Sequence, residues 1–321
     1  MFTTIISADQ LKQLLAKPGG PQPAPSAAFA KVQVLGTPVR QVSSLPAGEV
    51  VVFDVRHKLD KPEAGEQMYL VGHIPGALFA DLDNDLAGPK KLTASGHTGR
   101  HPLPETGEWL ARIGRWGIGP DTQVVVYDDA GGMTAGRLWW MLRAVGHMAV
   151  AVLDGGLPAW TAAGGALEAG AARPARALTP YPGRFRSDWV ADIDEIRAQV
   201  ASPDAGAKYL IVDARAPERF RGEVEPYGPI AGHIPGARNV YYAGNLKPDG
   251  TFRSAAELRE RFKPVVDAAG EREVVMSCGS GVSACHNLLA MEIAGLPTAR
   301  LFPNSWSGWT ATPGLPVAKG D

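Results

Sequence analysis

Cysteine is nearly absent. The 321 residues contain two, Cys278 and Cys285, too few for a disulfide framework, and no Cys-x-x-Cys or Cys/His spacing marks a zinc site. Long apolar runs are missing as well. Nothing approaches the roughly 18 consecutive apolar residues of a membrane span, so no membrane partner is expected. Charge of one sign is not in surplus either: 32 Lys and Arg face 33 Asp and Glu, for a net charge of −1 and a pI of about 6.7. That balance lacks the basic excess of a nucleic-acid binder. The opening MFTTIISADQLKQLLA has no basic region leading into a long apolar core and a small-residue cleavage site. No secretory leader is expected, and the reducing cytoplasm is the expected location. What is present, 45% hydrophobic and 20% charged residues, is an ordinary globular composition at a length sufficient for two domains.

One design is written twice. Gly72-His73-Ile74-Pro75-Gly76-Ala77 returns as Gly232-His233-Ile234-Pro235-Gly236-Ala237, 160 positions later. A β-branched run ending in an acid precedes each copy: Val50-Val51-Val52-Phe53-Asp54 and Leu210-Ile211-Val212-Asp213. Farther on, Val124-Val125-Val126-Tyr127 matches Val274-Val275-Met276-Ser277. Leu153-Asp154-Gly155-Gly156 to Trp160 matches Phe302-Pro303-Asn304-Ser305 to Trp309. Four spaced matches in one order indicate duplicated domains. His73, His233, Asp54 and Asp213, present in both copies, are read as structural.

Within each half, short buried strands alternate with helices. Ser7-x-x-Gln10 and Asp192-x-x-Glu195 are capping-box starts, and a helix is expected from Ser254 to Phe262. The expected class is α/β, each domain a mainly parallel sheet flanked by helices, with chemistry at the carboxyl ends of the strands. The expected division is a first domain over 1–162, a linker over 163–186 and a second domain over 187–321. The spacing of the matches assigns the first half 26 additional residues near 17–47, read as a surface excursion. It assigns 11 more between Ala77 and Asp129, a stretch that includes Arg100 and His101. A long loop in one copy often serves the neighbour's site.

The chemistry concentrates in Val274-Val275-Met276-Ser277-Cys278-Gly279-Ser280-Gly281-Val282-Ser283-Ala284-Cys285-His286. A strand ends at Ser277 and a helix resumes near Ser283. Between them, Gly279 and Gly281 allow the chain to curl around one atom with its amides inward. The following helix N-terminus adds positive potential, and Ser280 and Ser283 offer hydroxyls. Such a loop favours a thiolate, the nucleophilic form, and would hold a persulfide anion. Aligning Val282-Ser283-Ala284 with Met133-Thr134-Ala135 puts Asp129 opposite Cys278, which makes the first half the degenerate copy. Cys285, inside the helix, is read as a packing residue.

These motifs resemble the tandem rhodanese-fold sulfurtransferases along nearly the whole chain. The matching features are the two Gly-His-Ile-Pro-Gly-Ala copies, the Asp-Gly-Gly-x-x-x-Trp ending of the first half, and the loop from Cys278 to Ser283. The resemblance implies two tandem rhodanese-like domains, an inert first and a catalytic second. The loop is similar to that of the 3-mercaptopyruvate branch, with Ser283 where Thr is usual. Physical chemistry agrees with that branch. Thiosulfate is a compact dianion that calls for fixed positive charge beside the thiolate, and positions 279 to 284 have none; mercaptopyruvate carries its single charge away from the transferred sulfur.

By the same resemblance, Arg219 in Arg219-Phe220-Arg221-Gly222 binds the substrate carboxylate through its fork. The family's second Arg, about nine residues later, is missing, and Arg100 or Arg221 stands in as a candidate. Gly279, Gly281, Val282 and Ser283 complete the implied substrate cradle. The branch also implies a relay across the domains: Ser280, His101 in His101-Pro102-Leu103-Pro104, and Asp83 to orient the imidazole. The implied donor is a small molecule, and the acceptor is cyanide or a thiol, thioredoxin among them. No metal or organic cofactor is expected. The alternatives are thiosulfate as donor, or a non-catalytic sulfur carrier. A Cys-based phosphatase is disfavoured, because Ala284 stands where its Cys-x5-Arg loop needs the arginine.

Overall fold

The computed structural model describes residues 1–16, 33–34, 37–41, 50–172, 174, 177–202 and 207–321; most of the expected 17–47 excursion lies outside them. The chain folds into two compact units. One comprises Met1–Leu86, Pro104–Phe185 and Pro248–Thr251, the other Ala87–Leu103, Arg186–Lys247 and Phe252–Asp321.

The first unit contains β1 (Ile5–Ile6), α1 (Ala8–Leu15), β2 (Gln33–Val34), β3 (Thr37–Gln41), β4 (Val50–Asp54), α2 (Ala64–Val71), β5 (Leu78–Phe79), α3 (Thr106–Arg115), β6 (Gln123–Tyr127), α4 (Ala135–Arg143), β7 (Val150–Leu153), α5 (Gly156–Ala162) and β8 (Leu167–Ala169). Its main sheet, ordered β1-β7-β6-β4-β5, is parallel at every pairing. Every residue of β4 and β6 is buried, as a sheet covered on both faces requires, which is why these strands read as unbroken apolar runs. Val52, Val125, Tyr127 and Leu153 pack with Leu11, Ile74 and Trp160 in the core.

The second unit repeats the plan with α6 (Ile193–Ala201), β9 (Tyr209–Asp213), the short α7 (Pro217–Phe220), β10 (Arg238–Asn239), α8 (Ala255–Ala269), β11 (Glu273–Ser277), α9 (Ser283–Ile293), β12 (Arg300–Leu301) and α10 (Ser305–Ala311). Its sheet is ordered β10-β9-β11-β12, again parallel. Ile211 and Val275 pack against Ile196, Phe302, Trp306 and Trp309.

The capping boxes at Ser7 and Asp192 form as expected, and a third forms at Ser254 with Glu257. The helix begun at Ser254 does not stop near Phe262. It runs through Pro264 to Ala269 because its buried stripe continues: Leu258, Phe262, Val265 and Ala269 all face the core. Their burial offsets the roughly 3 kcal/mol that an interior proline costs.

The repeated hexapeptide is a turn. Ala77 N–H donates to the Ile74 carbonyl, and Ala237 to Ile234, both across Pro-Gly. Gly76 and Gly236 stand at φ +74° and +81°, the left-handed geometry that such a turn demands after its proline. His73 stacks on Tyr69 and His233 on Phe220, each with Nδ1 against a backbone carbonyl. The structural reading of both histidines holds. Asp54 and Asp213 hold a neighbouring guanidinium, Arg56 and Arg215, whose Nη2 also donates to the Gly72 or Gly232 carbonyl at 2.7 Å. This Asp-x-Arg clamp ties each central strand to its turn. Burial raises the Asp54 pKa, against the opposing pull of Arg56.

The segment 163–186 is not simply a connector. Leu167–Ala169 forms β8, which pairs in parallel with β3, and Glu168 bonds the turn through the Gly76 amide at 2.6 Å. The loop 87–103, within the stretch between Ala77 and Asp129 where 11 additional residues were expected, belongs to the second unit. No helix among the described residues is long and apolar enough to cross a membrane.

Candidate active site

Parallel pairing sets the site. Asp213 stands beside Ser277 across β9 and β11, and Ala214 N–H donates to the Ser277 carbonyl at 2.9 Å. The two chains therefore leave the sheet together, one toward Arg215 and Arg219, the other into Cys278. Cys278 Sγ accepts the Gly281 amide at 3.1 Å. Gly281, at φ +77°, makes the bend that points this amide back at the sulfur.

Several expectations for this loop need correction. Gly279 is outside the left-handed region, and a β-carbon there would meet Arg219 Nη2 at 3.5 Å, an ordinary van der Waals contact, so neither backbone angle nor space requires glycine at this position. Among the described residues, Gly281 alone donates to Sγ, and Ser283 makes no hydrogen bond to it. Cys278 is also more deeply placed than a solvent-accessible nucleophile, at 1% exposure. Val282 is buried beside it, as the first residue before α9. Cys285 Sγ–H donates to the Gly281 carbonyl at 3.4 Å from inside α9 and is fully buried, in keeping with a packing role.

Ser280 Oγ lies 2.8 Å from His101 Nδ1, and both residues are buried. The loop that delivers His101 is stitched to α10 and its flanks: Arg100 N–H donates to Ser307 Oγ at 3.0 Å, Asn304 Nδ2 to the His97 carbonyl at 2.9 Å, and His97 N–H to Thr312 Oγ1 at 2.8 Å. The same helix start grips the cysteine loop, since Trp306 and Ser307 amides donate to the carbonyls of Cys278 and Gly279. Asp83, the expected third member of the relay, belongs to the first unit, where its Oδ2 is 4.0 Å from His57 Nε2. Within the second unit, Ser280 and His101 form a hydrogen-bonded pair.

Three guanidinia gather by the loop. Arg219 Nη2 donates to Glu225 Oε1 at 2.7 Å, and Arg215 Nη1 to Glu225 Oε2 at 3.1 Å. Arg219 and Arg100 both lie over the Tyr227 ring, with Arg100 Nη2 on the Tyr227 carbonyl. Burial lowers the Arg100 pKa, and the Arg219 charge nearby lowers it further, while Glu225 and Cys278 act in the opposite sense. Arg219 Nε is buried with no hydrogen-bond partner among the described residues, an unused donor that a ligand anion would satisfy. Arg221 instead pairs with Glu223 at the surface, so of the two stand-ins for the absent second arginine only Arg100 lies at the site.

The profile of the rhodanese-like domain matches residues 40–163 and 194–312. The chain belongs to the rhodanese-like family. A Pseudomonas aeruginosa protein described as a probable 3-mercaptopyruvate sulfurtransferase is 44% identical over 85% of this chain and 93% of its own length. A Mycobacterium tuberculosis protein with a provisional thiosulfate sulfurtransferase name, SseB, is 42% identical over 91% of this chain and 99% of its own. Among solved structures, the 3-mercaptopyruvate sulfurtransferase SseA of Escherichia coli superposes with a TM-score of 0.69 at 28% identity, covering 95% of this chain and all of that one.

The two rhodanese-like units differ where β6 and β11 end. Tyr127 pairs with Asp54 as Ser277 pairs with Asp213, so the residue opposite Cys278 is Asp128, not Asp129. The first loop is longer before its helix, running over 128–134 where the second runs over 278–282. Asp128 accepts amides from Ala130, Gly132, Thr134 and Ala135, and the Thr134 hydroxyl as well, at 2.8–3.0 Å. The first unit thus fills its own anion nest with a fixed carboxylate, and Asp129 points instead to Lys58. Asp128→Ala would leave several buried donors unpaired at about 1–3 kcal/mol each. We expect a fall in unfolding free energy of about 3 kcal/mol or more, measured by chemical denaturation; a loss below about 1 kcal/mol would show that the nest does not depend on its carboxylate.

Sequence reasoning missed Ser305. It occupies the place of Gly156 and shares its left-handed backbone, φ +49° against +60°. A side chain is tolerated there because its hydroxyl donates to the Phe302 carbonyl at 2.8 Å and accepts the Cys278 amide at 3.1 Å. The signal was legible: the second copy has Asn304-Ser305 where the first has Gly155-Gly156. Glu225 bridges two guanidinia, Arg215 and Arg219, that only the fold brings together around it.

Proposed function

We propose that this protein is a sulfurtransferase that takes the thiol sulfur of 3-mercaptopyruvate onto Cys278, where it becomes sulfane sulfur, and passes it to a thiol or cyanide. The observation that carries the reading is the Cys278 loop, with the Gly281 amide on the sulfur and the Ser280–His101 pair beside it. Cys278 thiolate attacks the donor sulfur; the S–S bond forms and the carbon–sulfur bond breaks. The thiol proton of the donor travels through Ser280 and His101 to the enolate carbon, which leaves as pyruvate, and Cys278 retains a persulfide anion. An acceptor thiol then takes the outer sulfur with its own proton as a persulfide, and Cys278 returns to thiolate. Arg219, with its unused Nε, holds the donor carboxylate, and Arg100 serves as the second cation. The first unit is the inert copy, because Asp128 stands where a nucleophile would be needed. We place the protein in the cytoplasm, with thioredoxin or a low-molecular-weight thiol as acceptor.

The second reading, thiosulfate as donor, is favoured by the name of the mycobacterial relative and by the number of guanidinia near the loop. Pyruvate release from 3-mercaptopyruvate, compared with thiocyanate formation from thiosulfate and cyanide, separates the two. A higher kcat/KM for thiosulfate would overturn the first. Arg219→Met is expected to lower kcat/KM for 3-mercaptopyruvate by about tenfold to a hundredfold, mainly through KM, the loss of one charge-assisted hydrogen-bonded partner. An unchanged KM would remove Arg219 from the carboxylate site.

A further inference from the structure

Among the described residues, Glu225 is the acidic side chain set among the guanidinia beside Cys278 that is not committed to a strand-end clamp. Its side chain is 4% exposed, and both oxygens are engaged, Oε1 by Arg219 and the Tyr227 amide, Oε2 by Arg215. Arg215 also holds Asp213 and lies over Trp306, so its charge is committed to the scaffold. Leaving aside the nucleophile itself, three guanidinia against two carboxylates leave one positive charge in excess. That excess resides with Arg100, whose side chain contacts the carbonyl and ring of Tyr227 and, among the described residues, hydrogen-bonds to no carboxylate.

We propose that Glu225 is a specificity-determining residue: by compensating Arg219 it holds the pocket to a single excess positive charge, which matches a donor with one carboxylate and handicaps a dianion such as thiosulfate. The inference rests on the sulfurtransferase reading and extends it to the charge of the donor. Its physical basis is that the energy of a bound anion in a fixed field scales with its charge. Each unit of positive charge added to the pocket therefore favours a dianion about twice as strongly as a monoanion. Both Glu225 oxygens are taken up by Arg219, Arg215 and the Tyr227 amide, so it acts through Arg219 and is a positioning and charge-setting group.

The test is the ratio of kcat/KM for thiosulfate to that for 3-mercaptopyruvate in the full-length protein, with Cys278 persulfide formation followed by intact mass in a single turnover. Glu225→Gln, nearly isosteric, is expected to raise the ratio by about tenfold or more, equivalent to ~1.4 kcal/mol of discrimination. Glu225→Asp keeps the charge and should leave the ratio within about threefold of the parent even where both rates fall. Arg100→Met removes the excess charge and should move the ratio in the opposite direction, which keeps the proposal testable if Glu225→Gln does not fold. An unchanged ratio in Glu225→Gln, or an equal shift in Glu225→Asp, overturns the role of Glu225. Failure of the parent protein to form a persulfide from either donor would instead overturn the functional reading beneath it.

Discussion

Cys278→Ser is expected to abolish turnover, with a fall of at least about ten-thousandfold, and to leave no sulfur adduct after incubation with 3-mercaptopyruvate. Serine preserves the size of the side chain and can still accept the Gly281 amide, so the loop should keep its shape. What disappears is the nucleophile: an alcohol remains protonated near neutral pH and forms no perthiolate. Removal of a group that forms the covalent intermediate typically costs four orders of magnitude or more. Cys285→Ser is the matched control. That thiol sits in α9 against the Gly281 carbonyl, fully buried, and a hydroxyl can make the same bond. Activity should stay within a few-fold of the parent, and the sulfur adduct should still form. An adduct on Cys285, or retention of turnover by Cys278→Ser, would move the chemistry off the loop.

His101→Ala is expected to slow persulfide formation from 3-mercaptopyruvate by about a hundredfold to a thousandfold, the range of a lost proton-transfer group. Discharge of a preformed persulfide to cyanide should change far less. The asymmetry follows from the two half-reactions. In the first, a thiol proton must leave the donor and a carbanion equivalent must gain one, and the Ser280–His101 pair at 2.8 Å provides the route. In the second, cyanide brings no proton and Cys278 departs as a stable thiolate. Ser280→Ala should reproduce the selective defect, because it breaks the same hydrogen bond from the other side. Rapid-mixing measurements of the two half-reactions decide the matter, and an equal loss in both would take His101 out of the proton path and leave it a structural residue.

The local chemistry was legible in the chain. Apolar runs bounded by Asp, capping boxes at Ser7 and Asp192, and the Pro-Gly turn of the repeated hexapeptide each depend on contacts within a few residues. So does the curl at Gly281, which is set by one backbone angle. Repetition added more, since it exposed the loop around Arg100 and His101 as additional length in the first half before any coordinate placed it in the second unit.

What the chain alone left open were contacts between residues far apart in it. Asp128 rather than Asp129 stands opposite Cys278, a matter of strand register that only the hydrogen-bonded sheet decides, because the difference in loop length defeats alignment from the helix side. Burial of the sulfur and the single amide on it depend on how α10 closes over the loop through Ser305, Trp306 and Ser307. The charge balance around Glu225 joins Arg100, Arg215 and Arg219. By itself, therefore, the sequence determined which chemical groups this protein has and where its chain bends, since both are short-range properties. Tertiary structure decided which charges meet and which atoms lose water, because electrostatic and desolvation energies depend on distance in space and not along the chain.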